Sequence, residues 1–129
     1  MISESVIDCK VKPDNPKIVV LGVDSKEVSL NWKNCEGDAG ETIRSFAFFR
    51  QRPGSAVTEQ IASRDASGSF NMIGPFKDKK KYEALLDQEL KIFDVKKTEE
   101  YLYTLEVDYK SSGGAVLETS FRVTVDVKG

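Results

Sequence analysis

The side chains of this 129-residue chain most able to do chemistry are two cysteines, Cys9 and Cys35, and its 21 carboxylates. There is no histidine, which removes Ser-His-Asp and Cys-His nucleophilic catalysis and every His-ligated metal site. Two cysteines 26 positions apart fall short of a zinc site, which needs more ligands at closer spacing. The carboxylates alternate with apolar residues along short segments, the mark of a solvated sheet surface. Glu99-Glu100 therefore reads as corner and loop rather than as an acid/base dyad. Gly113-Gly114 reads as a hairpin tip, since no helix pattern or Lys-Ser/Thr follows to cradle a phosphate. Asp-rich calcium loops are absent. The chain is expected to be a non-enzyme with no cofactor and no metal.

Size and charge narrow the class further. The length fits one domain over residues 1–129, and a 40% hydrophobic content supports a proper core. A net charge of −2 leaves no basic surface for nucleic acid. The only cationic cluster, Lys77, Lys79, Lys80 and Lys81, is interrupted by Asp78 and reads as a solvated loop. No apolar run approaches the roughly 18 residues of a membrane span. No signal-peptide pattern follows Met1, which is either a native cytosolic start or an initiator on a mature ectodomain.

The elements that would position any site are short strands separated by turn residues. Pro13 to Pro16 separates a strand at Val6 to Val11 from a run at Lys17 to Val23. Glu27 to Lys33 alternates Val28, Leu30 and Trp32 with polar residues, and a polar loop covers Asn34 to Glu41. The stretch Phe46 to Gly54, F-A-F-F-R-Q-R-P-G, is an aromatic strand ended by the turn signal Pro53-Gly54. Val57 to Arg64 returns beside it, and Phe70 to Ile73 is a short apolar segment. Tyr82 to Leu86 and Glu89 to Val95 read as strands, although propensity alone would allow a helix over Glu83 to Phe93. The clearest hairpin joins Tyr101 to Tyr109 with Ala115 to Val127, where Leu117, Phe121, Val123, Val125 and Val127 share one face. Nine strands in two sheets is the economical arrangement.

F-A-F-F-R-Q-R-P-G, followed downstream by E-E-Y-L-Y-T-L-E-V from Glu99 to Val107, resembles strands C and F of a variable-type (V-set) immunoglobulin domain. The resemblance covers most of the chain and implies an all-β, immunoglobulin-like sandwich of two antiparallel sheets. Such domains pin their sheets with a Cys in strand B, a Cys in strand F and a Trp in strand C. Here those positions are held by Trp32, Leu105 and Phe48, so hydrophobic volume would replace the covalent pin. An aromatic of that size buries ~200 Å2. Tyr103 matches the tyrosine corner, whose hydroxyl is expected to bond backbone. Glu99 stands at the acidic corner position with Lys81 as its expected partner, against the plain alternative of a surface contact worth about 0–1 kcal/mol.

The resemblance also runs strand A antiparallel to strand B, which would bring Cys9 near Cys35. A bridge there would stabilise by about 3–4 kcal/mol and argue for an extracellular protein. Two unrelated thiols in a cytosolic protein remain the alternative. With Phe48 inward, Phe49 and Gln51 point outward beside Thr104, Glu106 and Asp108 of strand F, and Glu118 and Arg122 of strand G. V-set receptors commonly meet partners on this face, often a copy of themselves. Phe49 would be an apolar anchor, or simply a scattered surface hydrophobe.

The run F-F-R-Q-R-P-G…E-Q-I-A-S-R is similar to cnidarian-type single-pass adhesion and allorecognition receptors. That implies a membrane-anchored ectodomain whose partner is another copy of itself on an opposing cell, with no nucleic acid and no small-molecule cofactor. The competing readings are a structural immunoglobulin-like or fibronectin type III-like spacer, and a heterophilic or carbohydrate-binding receptor domain.

Overall fold

A computed structural model describes residues 8–36, 42–78, 80–110 and 113–129, and among them the chain is all-β without an α-helix. Eleven strand segments form: β1 (Asp8–Val11), β2 (Lys17–Val20), β3 (Glu27–Asn31), β4 (Lys33–Glu36), β5 (Thr42–Gln51), β6 (Thr58–Arg64), β7 (Phe70–Met72), β8 (Tyr82–Leu85), β9 (Glu89–Phe93), β10 (Leu102–Lys110) and β11 (Val116–Lys128). A 3-10 turn covers Gly74–Phe76. The larger sheet runs β2-β11-β10-β5-β6-β7, and the smaller runs β3-β9-β8. The chain passes through Trp32 from β3 into β4, which pairs with β1. The two layers make the expected immunoglobulin-like β-sandwich.

Local chemistry accounts for most of these elements. In β10 buried and half-buried residues alternate strictly, placing Tyr103, Leu105, Val107 and Tyr109 inward. The β5–β6 connection is closed by Ser55 N–H donating to Arg52 C=O at 3.0 Å. Pro53 supplies the fixed φ, and Gly54, at φ 80°, supplies the left-handed residue. Leu85–Glu89 turns at Gln88 (φ 67°), which ends β8 and begins β9 where a helix was the alternative.

Three expectations need correction. The sheets are not antiparallel throughout, because β2 pairs in parallel with β11, Ile18 opposite Asp126. The polar loop expected from Asn34 begins instead as strand β4, since Lys33 to Glu36 find a ladder partner in β1. Leu117 does not join the buried row of β11. It is 43% exposed, and burial sets in fully only from Val123 onward. Val6, Gly37, Gly40, Lys79, Ser111 and Ser112 fall outside the described residues.

The core is centred where the resemblance put the missing bridge. Trp32, Phe48 and Leu105 are each no more than 1% exposed. The Trp32 and Phe48 ring centroids lie 5.9 Å apart, and Phe48 stands opposite Leu105 across β5 and β10. Burying ~200 Å2 of indole contributes about 5 kcal/mol at 25 cal/mol/Å2, an upper figure but comparable to a disulfide. The actual disulfide lies elsewhere: Cys9 and Cys35 are bonded and are direct partners in the β1–β4 ladder.

Candidate functional site

The outward face of the larger sheet is laid out in rungs. Gln60, Phe49, Thr104 and Arg122 stand side by side across β6, β5, β10 and β11. The next rung is Ser63, Ala47, Glu106 and Ser120, and the next carries Ser45, Asp108 and Glu118. Phe49 is half-buried, not fully exposed as its position suggested, because its rung neighbours flank it. Gln51 belongs to the same face, but its side-chain amide donates to Ser55 C=O and is committed to the turn. The structure thus brings Phe49, Thr104, Glu106, Asp108, Glu118 and Arg122 onto one surface, with Gln51 at its margin.

Small side chains in the middle rungs leave a hollow. Ser45, Ala47 and Ser63 open a groove of about 290 Å3, closed at one end by Phe49 and along β10 by Glu106 and Asp108. Carboxylate oxygens of Glu106, Asp108 and Glu118 all lie within 4.8 Å of one another. Asp108 directly faces Glu118 and accepts a hydrogen bond from the Ser45 hydroxyl at 3.2 Å. Burial raises the Glu106 pKa above the ordinary glutamate value, and the nearby Glu118 and Asp108 charges push it further the same way. Arg122 is exposed and makes no ion pair among the described residues.

A second charged region sits at the β5–β6 turn end, and sequence reasoning passed over it. Arg50 shares the inward parity of Phe46 and Phe48, which was the available signal. Its guanidinium lies 4.5 Å from the Tyr101 ring centroid and 4.9 Å from that of Phe76. It donates to Glu59 at 2.9 Å and to the Tyr82 hydroxyl at 3.0 Å. Burial works against the Arg50 charge, yet the hydrogen bonds to Glu59 and Tyr82 outweigh it and raise the pKa. Arg52 donates to the Tyr101 hydroxyl at 2.8 Å from the other side.

This cluster changes the part expected of Tyr103. Its hydroxyl does not bond backbone at the corner; it shares a 2.9 Å hydrogen bond with the Tyr82 hydroxyl. The reason is that Tyr82 on β8 faces inward and reaches the same spot, with Arg50 anchoring its oxygen. Burial raises both phenols above their ordinary pKa, Tyr103 the further of the two. Nearby, the Lys81 ammonium pairs with Glu99 and also donates to Asp94 C=O at 2.9 Å. Glu99 accepts from Lys96 N–H at 2.8 Å, so it ties its own turn to the start of β8 through Lys81.

No family model matches the chain, and comparison with curated proteins finds no match. Among solved structures, murine CRIg is similar with a TM-score of 0.67 and 16% identity, covering 98% of this chain and 100% of that one. CRIg is a V-set-like domain of the immunoglobulin superfamily. The likeness shows the fold, and a fold does not by itself assign a partner.

Proposed function

We propose that this chain is the recognition part of a cell-surface protein and binds a second copy of itself on an opposing cell. The contact surface is the outward face of β5, β6, β10 and β11. The chain acts as a binding module, not an enzyme, and takes no cofactor and no nucleic acid. It sits outside the cell, held by a membrane anchor that the parent protein supplies elsewhere. The observation that carries this reading is the charge layout of one face. An acidic trio and Arg122, unpaired among the described residues, share the face that carries the half-buried Phe49. A surface bearing both signs is self-complementary under a two-fold axis, so each favourable contact is made twice. The Cys9–Cys35 bridge suits an oxidising compartment. The resemblance of F-F-R-Q-R-P-G…E-Q-I-A-S-R to cnidarian-type receptors, a reading of the sequence alone, extends the proposal to allorecognition, with variants of this face discriminating self from non-self.

The test is aggregation of beads densely coated with the chain, beside beads carrying Phe49→Glu. Clumping of the unmodified beads that is lost in the variant is the expected result. Clumping that survives Phe49→Glu moves self-binding to another surface. Beads that stay dispersed at dense coating leave only a heterophilic receptor or a spacer.

A further inference from the structure

We infer that the groove between β5, β6 and β10 is the seat of one side chain, Arg122 of the second copy. The inference rests on the self-binding proposed above and names its central contact.

The groove has the size and chemistry for a guanidinium on its aliphatic stem. Ser45, Ala47 and Ser63 leave about 290 Å3 open to solvent, more than one arginine side chain requires. Phe49 at the groove end offers apolar surface to the methylenes, and Glu106 and Asp108 along the wall offer carboxylates to the planar fork.

Among the described residues no cation pairs with these acids. Arg64 also borders the groove, but it stacks on Phe46 at 5.3 Å and donates to Arg44 C=O at 3.5 Å. Arg122 stands opposite Thr104 on β11 and makes no ion pair among the described residues. The fold therefore holds Asp108 against Glu118, with Glu106 beside them, at a repulsive cost that an arriving cation relieves. A two-fold axis then seats both arginines at once, each in the other copy's groove.

Charge reversal tests this with two variants: Arg122→Glu, and the double change Glu106→Arg with Asp108→Arg. Each variant alone places like charge in the groove, so beads coated with either one should stay dispersed. A mixture of the two colours restores both contacts, one as an introduced carboxylate in a basic groove. Mixed clumps containing both colours are the expected result, and they also prove that both variants fold. Glu106→Lys paired with Arg122→Glu is a milder version read in the same way. Either variant clumping alone, or mixtures of both pairs staying dispersed while unmodified beads clump, overturns the seat and leaves self-binding standing. Dispersed unmodified beads overturn both.

Discussion

The two charged regions of the larger sheet sit on different strand pairs, β5–β6 at the turn end and β10–β11 on the outward face, and are built on opposite plans. At the turn end, Arg50 is bonded to Glu59 and Tyr82 and flanked by aromatic rings, and Arg52 is bonded to Tyr101. Lys81 and Glu99 complete each other nearby. On the outward face, three carboxylates crowd together and Arg122 stands unpaired among the described residues. A buried or half-buried charge must find its partner inside the fold, or folding bears the full desolvation cost. A charge left unfinished on a surface costs little in folding and remains available to another molecule. The turn end is therefore read as stabilising structure, and the outward face as the proposed recognition surface.

If that division holds, substitutions at the turn end lower stability and spare clumping, and substitutions on the outward face do the reverse. The largest effect lies in neither region and serves as the control. Replacing Cys9 and Cys35 together by Ser removes the β1–β4 bridge and is expected to cost about 3–4 kcal/mol in denaturant unfolding, with clumping retained below the transition. Next comes Arg50→Met, which leaves the Tyr82–Tyr103 pair without its anchor and exchanges a bonded cation for an apolar chain. A loss of about 2–3 kcal/mol is expected, read as a lower denaturation midpoint at unchanged slope. Unchanged stability would remove the turn end from the comparison.

Tyr103→Phe is milder. Tyr82 keeps its bond from Arg50, so only one hydrogen bond is lost, at about 1 kcal/mol. Glu106→Gln should act with the opposite sign. It relieves repulsion on the outward face, so a gain of roughly 0.2–1 kcal/mol at neutral pH is expected together with weaker clumping. The pH dependence follows from the raised Glu106 pKa. A carboxyl whose folded pKa lies above its unfolded value destabilises while ionised and ceases to do so once protonated. The stability gap between Glu106→Gln and the unmodified chain should therefore close as pH falls from neutral towards 4.5, the ordinary glutamate value. A gap independent of pH would mean that the acids do not repel one another.

What the sequence revealed, and what it hid, follows the range of the interactions. The aromatic alternation of Phe46 to Phe48 and the Pro53-Gly54 turn are local signals, and they located β5, the core and the face. The sandwich and the Cys9–Cys35 bridge came with the resemblance built on those residues. The parallel pairing of β2 on β11 joins residues more than a hundred positions apart and leaves no local pattern. Strand β4 was hidden because Cys35 is its one apolar residue, and its ladder exists only against β1. The groove depends on three small residues from two strands meeting in register, and the β5–β6 register itself shifts between Phe48 and Phe49. Arg50 was legible by parity, since it follows Phe46 and Phe48 at even spacing. Its cage of rings was not, because Phe76, Tyr82 and Tyr101 come from separate segments.

The most direct test of the proposed self-recognition through the outward face is backbone amide chemical-shift mapping as the concentration of the isotopically labelled chain is raised. Shifts concentrated at Ala47, Phe49, Thr104, Glu106, Asp108 and Arg122, with β3, β8 and β9 unmoved, are the expected result. Shifts confined to the smaller sheet, or none up to the highest attainable concentration, would contradict self-recognition through the outward face.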